Sequence, residues 1–150
     1  MIDREAVIRE INDRKIIAIF RGIAPEKCAD TAKALRNGGI TMIEITFNPN
    51  EKEIQYQSTV DSIRSIIQSD GDRIFVGAGT VIRVEQVVLA YQAGAQYIIT
   101  PTFDPEIIHL AGKLGMVTMP GAYTATEIMA AYQAGADFVK VFPASEAGTA

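Results

Sequence analysis

Short apolar runs alternate along this chain with longer segments in which apolar residues recur at helical spacing. The short runs are mostly continuous Ile, Val and Phe, which is typical of parallel strands covered on both faces. Between them, the stripe from Tyr56 to Ile67 predicts an amphipathic helix, and the segment from Thr124 to Glu127 has the form of a capping box. The predicted strands are residues 15–21, 41–47, 73–76, 96–100, 116–119 and 138–142.

The order of these elements is strand then helix, repeated and ending on a sixth strand, which predicts a parallel α/β fold. A further helix is predicted at residues 3–12. The sequence Ala-Tyr-Gln-Ala-Gly-Ala occurs at residues 90–95 and again at 131–136, 41 residues later, so that one strand–helix unit takes about 20 residues. Such units suit a (β/α)₈ TIM barrel, with a doubly wound open sheet as the competing architecture.

Composition and charge narrow the classes of function. The 150 residues are 48% hydrophobic and 21% charged, which is typical of a globular domain. The net charge of −4 disfavours nucleic acid or an anionic membrane as partner, and no apolar run has the ~18 residues of a membrane span. One cysteine, Cys28, and one histidine, His109, exclude an internal disulfide and a multi-histidine metal site, so the cytoplasm is the expected compartment.

Two charged residues, Glu44 and Lys140, stand inside apolar strands. Each lies five residues after a glycine that is predicted to end a helix, which gives them equivalent positions on the second and sixth strands. Alternate strands of a barrel contribute side chains to the same interior layer, so both side chains are predicted to point into one cavity. Lys140 shares its strand face with Phe138 and Phe142, and burial among such groups disfavours a charged ammonium.

An amine beside a carboxylate predicts chemistry on a carbonyl group. A neutral amine can attack a ketone to form a Schiff base, and a carboxylate can move the protons that the following steps require. The alternative is a buried structural ion pair, because buried Lys and Glu rarely occur without a partner. The catalytic interpretation is favoured because both residues lie near the carboxyl ends of their strands, where α/β folds place active sites.

Three motifs carry a resemblance to a known family: GITMIEIT at residues 39–46, GAGT at 77–80 and VKVFP at 139–143. Together they resemble the bacterial 2-keto-3-deoxy-6-phosphogluconate aldolases, a family that includes the 4-hydroxy-2-oxoglutarate and 2-keto-3-deoxy-6-phosphogalactonate aldolases. The resemblance runs from Asp3 to the end of the chain. It implies a class I aldolase, a lyase of carbohydrate metabolism on a (β/α)₈ barrel, that needs no cofactor or metal, releases pyruvate and is usually a homotrimer.

The resemblance also implies roles for individual residues. Lys140 would be the Schiff-base lysine and Glu44 the general acid and base. Thr80 would contact the pyruvate carboxylate, and Pro101 and Phe142 would line the pocket.

Two positions bear on the substrate. Where the phosphogluconate enzymes carry an arginine four residues after the glutamate, this chain has Asn48. The segment Phe20-Arg21-Gly22-Ile23 instead resembles the phosphogalactonate branch, in which that arginine binds substrate. Arg21 is therefore predicted to reach over the pocket mouth and pair with a carboxylate, the alternative being a solvated arginine at a strand end. The expected substrate is a 2-keto-3-deoxy-6-phospho sugar acid of gluconate or galactonate type, or 4-hydroxy-2-oxoglutarate.

Other features are predicted to be structural or to support the site. The segment Gly77-Ala78-Gly79 lacks the third glycine of a dinucleotide fingerprint, and it predicts a tight turn that presents backbone N–H groups to an anion. Cys28 is predicted to be a buried, inert thiol and His109 a helix-surface or packing residue, not a catalyst. Tyr91 and Tyr132, which occupy equivalent positions of the repeat, are expected to pack against other helices.

Two other functions stay open. The chain could belong to another phosphate-binding barrel, thiamine-phosphate-synthase-like or isomerase-like, in which Lys140 anchors a phosphate or substrate. It could also be an inactive barrel fragment that acts as a binding or assembly module. Unit length further predicts that residues 1–150 form one C-terminally incomplete barrel domain with about six strands. Strands seven and eight, whose loops commonly build the phosphate site, are expected beyond residue 150 or from a partner.

Overall fold

The computed structural model describes residues 2–50, 56–146 and 148, in which strands and helices alternate in the predicted order. The helices are α1 (Arg4–Arg14), α2 (Pro25–Asn37), α3 (Gln57–Asp70), α4 (Val84–Ala93), α5 (Pro105–Lys113) and α6 (Ala125–Gln133). The strands are β1 (Ala18–Phe20), β2 (Met42–Thr46), β3 (Phe75–Gly79), β4 (Tyr97–Ile99), β5 (Val117–Met119), β6 (Gly121–Ala122) and β7 (Lys140–Val141).

The strands form an arc of parallel neighbours. β1 to β5 make one sheet in chain order, and β6 pairs with β7. Only Pro120 separates β5 from β6, and the backbone ladder continues across it: the Lys140 amide donates to the Pro120 carbonyl at 2.9 Å and the Phe142 amide to the Ala122 carbonyl at 3.0 Å. β5 and β6 therefore occupy one strand position, and the described chain supplies the six strand positions that were predicted.

Side chains alternate between the two faces of this arc, as predicted for β2. Ile43, Ile45 and Phe47 belong to an outer apolar cluster that fills the space between strands and helices. Met42 belongs to a second cluster on the inner face. Because successive side chains of a strand point to opposite faces, Glu44 lies on the inner face with Met42.

Helix α1 covers the side of the arc at which the strands begin. Val7 is fully buried in the inner cluster. Arg4 donates to the Met116 carbonyl at 2.7 Å and forms an ion pair with Asp137, which also accepts from the Thr118 amide. Since these partners lie next to the last strands, α1 fixes the end of the arc opposite to the strand ends at which the candidate site lies.

The predicted turn at residues 77–79 is wrong, because these residues continue β3 to Gly79. Gly77 pairs with Glu44 on one side and with Tyr97 on the other. A Cβ built on Gly77 would lie 2.1 Å from the Tyr97 ring, so the glycine gives space to a neighbouring side chain instead of forming a turn. The chain leaves the regular strand only at Thr80, whose φ is +54°.

The predicted helix packing of the repeat tyrosines is also wrong. Tyr91 and Tyr132 are exposed, the latter to 70%, whereas the adjacent Ala90 and Ala131 are fully buried. The small alanines therefore make the contact with the fold, and the tyrosines point away from it. The predicted burial of Cys28 is confirmed, and His109 lies on the helix surface.

The space that Gly77 gives to Tyr97 leads to a stability prediction. Gly77→Ala should lower the free energy of unfolding by about 1–3 kcal/mol, because the added methyl group overpacks a fully buried ring. The ring has little freedom to move, since its hydroxyl donates to the Ile43 carbonyl at 2.7 Å. Urea unfolding measures the change.

A matched control is Gly112→Ala, on the solvent side of α5, where an added Cβ meets nothing within 4 Å. This variant should be up to about 1 kcal/mol more stable than the parent protein, because alanine is the better helix former. Equal stability of the two alanine variants would contradict the proposed packing.

Candidate active site

Glu44 is the middle residue of β2, and its side chain lies over the neighbouring strand. Only 4% of its surface is exposed. A Cβ built on Gly79 would lie 1.6 Å from Oε1 of Glu44, so the carboxylate occupies the space that the glycine leaves empty. The sequence indicated a special role for Gly79 but not this one, because a clash between side chains of two strands is visible only once their register is known.

The electrostatic surroundings of Glu44 contain opposing effects. Burial raises the pKa of its carboxyl group above the ordinary value, and the charges of Lys140 and Arg21 lower it. Both cations are thus close enough to act on the carboxylate. Neither Glu44 nor Lys140 takes part in the ion pairs found among the described residues. The alternative of a structural ion pair therefore lacks the direct contact that it requires.

Lys140 begins β7 and is partly exposed. Its Nζ lies 4.6 Å from the centroid of the Phe142 ring, an arrangement in which the face of the ring attracts the ammonium. Phe138, two residues earlier on the same strand face, packs against the inner cluster that contains Ile99. The predicted apolar surroundings are therefore present below the lysine, while Phe142 above it is exposed.

Pro101 approaches Lys140 by way of a second glycine. Gly121 is the register partner of Lys140, and a Cβ on Gly121 would lie 2.3 Å from the Pro101 carbonyl oxygen. The carbonyl of Pro101 thus covers the residue that pairs with the lysine. Gly121 was not singled out from the sequence, because its close approach to Pro101 depends on contacts between strands.

Thr80 follows Gly79 and is therefore adjacent to the residue on which the Glu44 carboxylate lies. Its φ of +54° is a left-handed conformation that β-branched residues rarely adopt. Such a conformation costs about 1–3 kcal/mol and is found most often at functional sites. Thr80 thus combines a place directly after β3 with a strained backbone.

Arg21 follows β1 directly and is exposed. It lines a cavity of about 420 Å³ together with Asn48, Ser58 and Thr59, between the ends of β1 and β2 and the helices α2 and α3. Lys140, Thr80 and Pro101 do not line this cavity. Arg21 therefore lines this cavity, while its positive charge also acts on Glu44.

Two further findings concern the kind of site. In residues 2–50, 56–146 and 148, no three His, Cys, Asp or Glu side chains are grouped so that they could hold a metal ion. Every helix in these ranges is too short or too polar to cross a membrane. The chemical equipment at the strand ends is thus an amine, a carboxylate of raised pKa and a guanidinium.

Comparison with known proteins identifies the family. A family model described as "KDPG and KHG aldolase" matches residues 7–150. The chain belongs to this family. KDPG is 2-keto-3-deoxy-6-phosphogluconate, and KHG is the 2-oxo acid named above as 4-hydroxy-2-oxoglutarate. The resemblance inferred from the three motifs is therefore confirmed.

Individual members of the KDPG and KHG aldolase family that are similar to this chain support the same assignment. The 2-dehydro-3-deoxy-6-phosphogalactonate aldolase of Escherichia coli K12 is 38% identical over 133 residues, which are 89% of this chain and 62% of that protein. A structure described as native KDPGal is 39% identical with a TM-score of 0.78, over 88% of this chain and 61% of that one.

A Legionella pneumophila KDPG aldolase structure holds pyruvate captured at low pH as a covalent carbinolamine intermediate. It is 28% identical with a TM-score of 0.75, over 88% of this chain and 60% of that one. This chain thus spans about three fifths of the length of these aldolases. Their TIM-type barrel confirms the fold class over the six strand positions.

The raised pKa of Glu44 predicts a pH-dependent effect on stability. A carboxyl group whose pKa is higher in the folded state than in the unfolded state stabilises the fold at low pH, and this contribution is lost as the pH rises. Glu44→Gln should therefore be more stable than the parent protein at pH 7, and the difference should vanish below the ordinary pKa of 4.5. Urea unfolding from pH 4 to pH 8 measures it.

Glu127→Gln is a control of opposite sign. Hydrogen bonds from the backbone amides of Thr124 and Tyr123 lower the pKa of Glu127, so its contribution is present at neutral pH and is lost as the pH falls. Loss of stability at pH 7 in both variants would show that Glu44 is held as a stabilising carboxylate, contrary to its burial.

Proposed function

We propose that the protein containing this chain is a class I aldolase that cleaves a 2-oxo acid to pyruvate and an aldehyde. The substrate is a 2-keto-3-deoxy-6-phospho sugar acid of gluconate or galactonate type, or 4-hydroxy-2-oxoglutarate. The observation that carries the proposal is the pair of Lys140 and Glu44 on one inner face of the arc, which influence each other without an ion pair. Membership of the family and the carbinolamine held by the Legionella relative support it.

The proposed reaction begins at Nζ of Lys140. The neutral amine attacks the C2 carbonyl carbon of the substrate and forms a carbinolamine, which loses water to give an iminium ion. A base then removes the proton of the C4 hydroxyl group, the C3–C4 bond breaks, and its electron pair passes into the iminium as an enamine. The aldehyde leaves, the enamine is protonated at C3, and water releases pyruvate and the free lysine.

Glu44 is the proposed proton carrier for these steps. A general acid and base works best when its pKa lies near the working pH, and the burial of Glu44 moves its pKa in that direction. The space over Gly79 holds the carboxylate beside Thr80. Thr80 is proposed to bind the pyruvate carboxylate, with Pro101 and Phe142 as walls of the pocket.

Arg21 is the proposed recognition group for the far end of the substrate. It is a donor suited to planar pairing with a carboxylate or phosphate, and it stands exposed at the strand ends while its charge reaches Glu44. Asn48, which lines the same cavity, provides no positive charge there. The segment Phe20-Arg21-Gly22-Ile23, through its resemblance to the phosphogalactonate enzymes, favours that branch for this chain.

The whole protein is proposed to complete the barrel with two further strand–helix units. β1 and β7 each pair on one side only within the described residues, and Ile19, the register partner of Glu44, is 53% exposed. An apolar side chain exposed on the inner face is the expected result when neighbouring strands are lacking. We further propose a homotrimer in the cytoplasm that binds pyruvate and a 2-keto-3-deoxy acid, on the strength of the family resemblance.

Reductive trapping tests the function directly. Pyruvate with borohydride should convert Lys140 to a stable secondary amine, and mass spectrometry of the digested protein should place the added mass on the peptide that contains Lys140. Lys140→Ala should abolish the adduct, whereas Lys113→Ala, which removes an exposed lysine of α5, should leave it unchanged. A folded protein without adduct, or an adduct that survives Lys140→Ala, would refute the aldolase and favour a phosphate-binding barrel or a module without activity.

The role of Arg21 is tested with the two sugar-acid epimers side by side. Arg21→Ala should lower kcat/KM for the preferred phosphorylated substrate by at least about tenfold, which corresponds to the loss of a charge-assisted hydrogen bond of about 1.4 kcal/mol or more. Arg83→Ala, at the start of α4, is the control for loss of an exposed arginine. Equal losses in the two variants would show that Arg21 acts only through net charge.

A further inference from the structure

Tyr123 stands at the candidate site although no motif pointed to it. It directly follows β6, at the carboxyl end of the strand position that pairs with β7. The Phe142 amide donates to the Ala122 carbonyl, which places the backbone of Tyr123 beside that of Phe142. The two rings are 47% and 42% exposed, so an aromatic pair flanks the end of the strand that carries Lys140.

Tyr123 is held by one hydrogen bond from its backbone and one from its side chain. Its backbone amide donates to Oε2 of Glu127 at 2.8 Å, and its hydroxyl donates to the Glu146 carbonyl at 3.0 Å. Because Glu146 follows β7, this second bond directs the ring across the end of the lysine strand. A half-exposed aromatic ring fixed in this way presents apolar surface at little entropic cost, since binding does not have to order it.

Its height above Lys140 decides which part of a substrate Tyr123 can meet. Lys140 pairs with Gly121, so Tyr123 stands two residues, or about 6.6 Å, further along the strand direction. The two carbons of a short aldehyde such as glyoxylate extend only ~2.5 Å from the reacting carbon, whereas a three-carbon aldehyde with a phosphate extends ~5–6 Å. The phosphorylated aldehyde therefore extends much closer to the level of Tyr123 than glyoxylate does.

We propose that Tyr123 is a specificity-determining residue, whose ring packs against the aldehyde portion of a phosphorylated substrate and thereby favours long aldehydes over short ones. This inference rests on the proposed aldolase function. It assigns to Tyr123 no proton transfer and no contact with the pyruvate portion, which is bound at the level of Lys140.

The experiment compares aldehydes in the direction of carbon–carbon bond formation, with the full-length protein and pyruvate as the common partner. Tyr123→Ala should lower kcat/KM for glyceraldehyde 3-phosphate by at least about tenfold and that for glyoxylate by less than about twofold. Tyr123→Phe, which keeps the ring and loses the bond to Glu146, should stay within about threefold of the parent for both aldehydes. Tyr132→Ala, on the exposed face of α6, is the matched control and should change neither value.

The outcomes separate this inference from the function on which it rests. Borohydride trapping of pyruvate on Lys140 is measured first in every variant, and its absence in the parent protein refutes the aldolase itself. With trapping intact, an unchanged ratio of the two kcat/KM values in Tyr123→Ala overturns the specificity role, whether both values fall together or neither falls. A changed ratio in Tyr132→Ala overturns it as well, because the effect would then not be local to the site.

Discussion

The inner face of β3 bears no side chain at two successive inward positions, and the candidate site depends on this. Gly77 leaves space for the Tyr97 ring and Gly79 leaves space for the Glu44 carboxylate. The Glu44 side chain of β2 and the Tyr97 side chain of β4 therefore extend over β3 from opposite sides, each at the level of one glycine. A side chain at position 79 would clash with the Glu44 carboxylate, so the buried glutamate depends on this glycine.

Lys140 and Arg21 act on the Glu44 carboxyl group without forming an ion pair with it. Direct pairing of Glu44 with Lys140 would satisfy both groups as a structural ion pair. Separation leaves the burial of Glu44 as the larger effect on its pKa, with Lys140 and Arg21 opposing it. The carboxyl group is thereby kept closer to the pH at which it can both give and take a proton, which a pair in direct contact could not do.

The sequence predicted the six strand positions, the alternation of faces and the place of Glu44 and Lys140, because these follow from local hydrophobic period and from equal spacing after helix-ending glycines. It failed where a property depends on contacts between strands distant in sequence. The segment from Gly77 to Gly79 has the composition of a turn, yet register with β2 and β4 makes it a strand. Tyr91 and Tyr132 are large aromatic residues of the kind that often pack between helices. The smaller Ala90 and Ala131 beside them are nevertheless the buried ones.

The same strand ends hold the features that cost stability. A buried carboxylate, a threonine at a φ of +54° and exposed aromatic rings are each less stable than the alternatives available to a structural residue. The compensation lies at the opposite end, where α1 buries Val7 and where Arg4, Asp137 and Thr118 tie the helix to the last strands. This polarity is a consequence of parallel strands, because all of their carboxyl ends lie on one side. Reactive side chains can therefore lie together at the carboxyl ends of the strands, while stabilising contacts are concentrated at their amino ends.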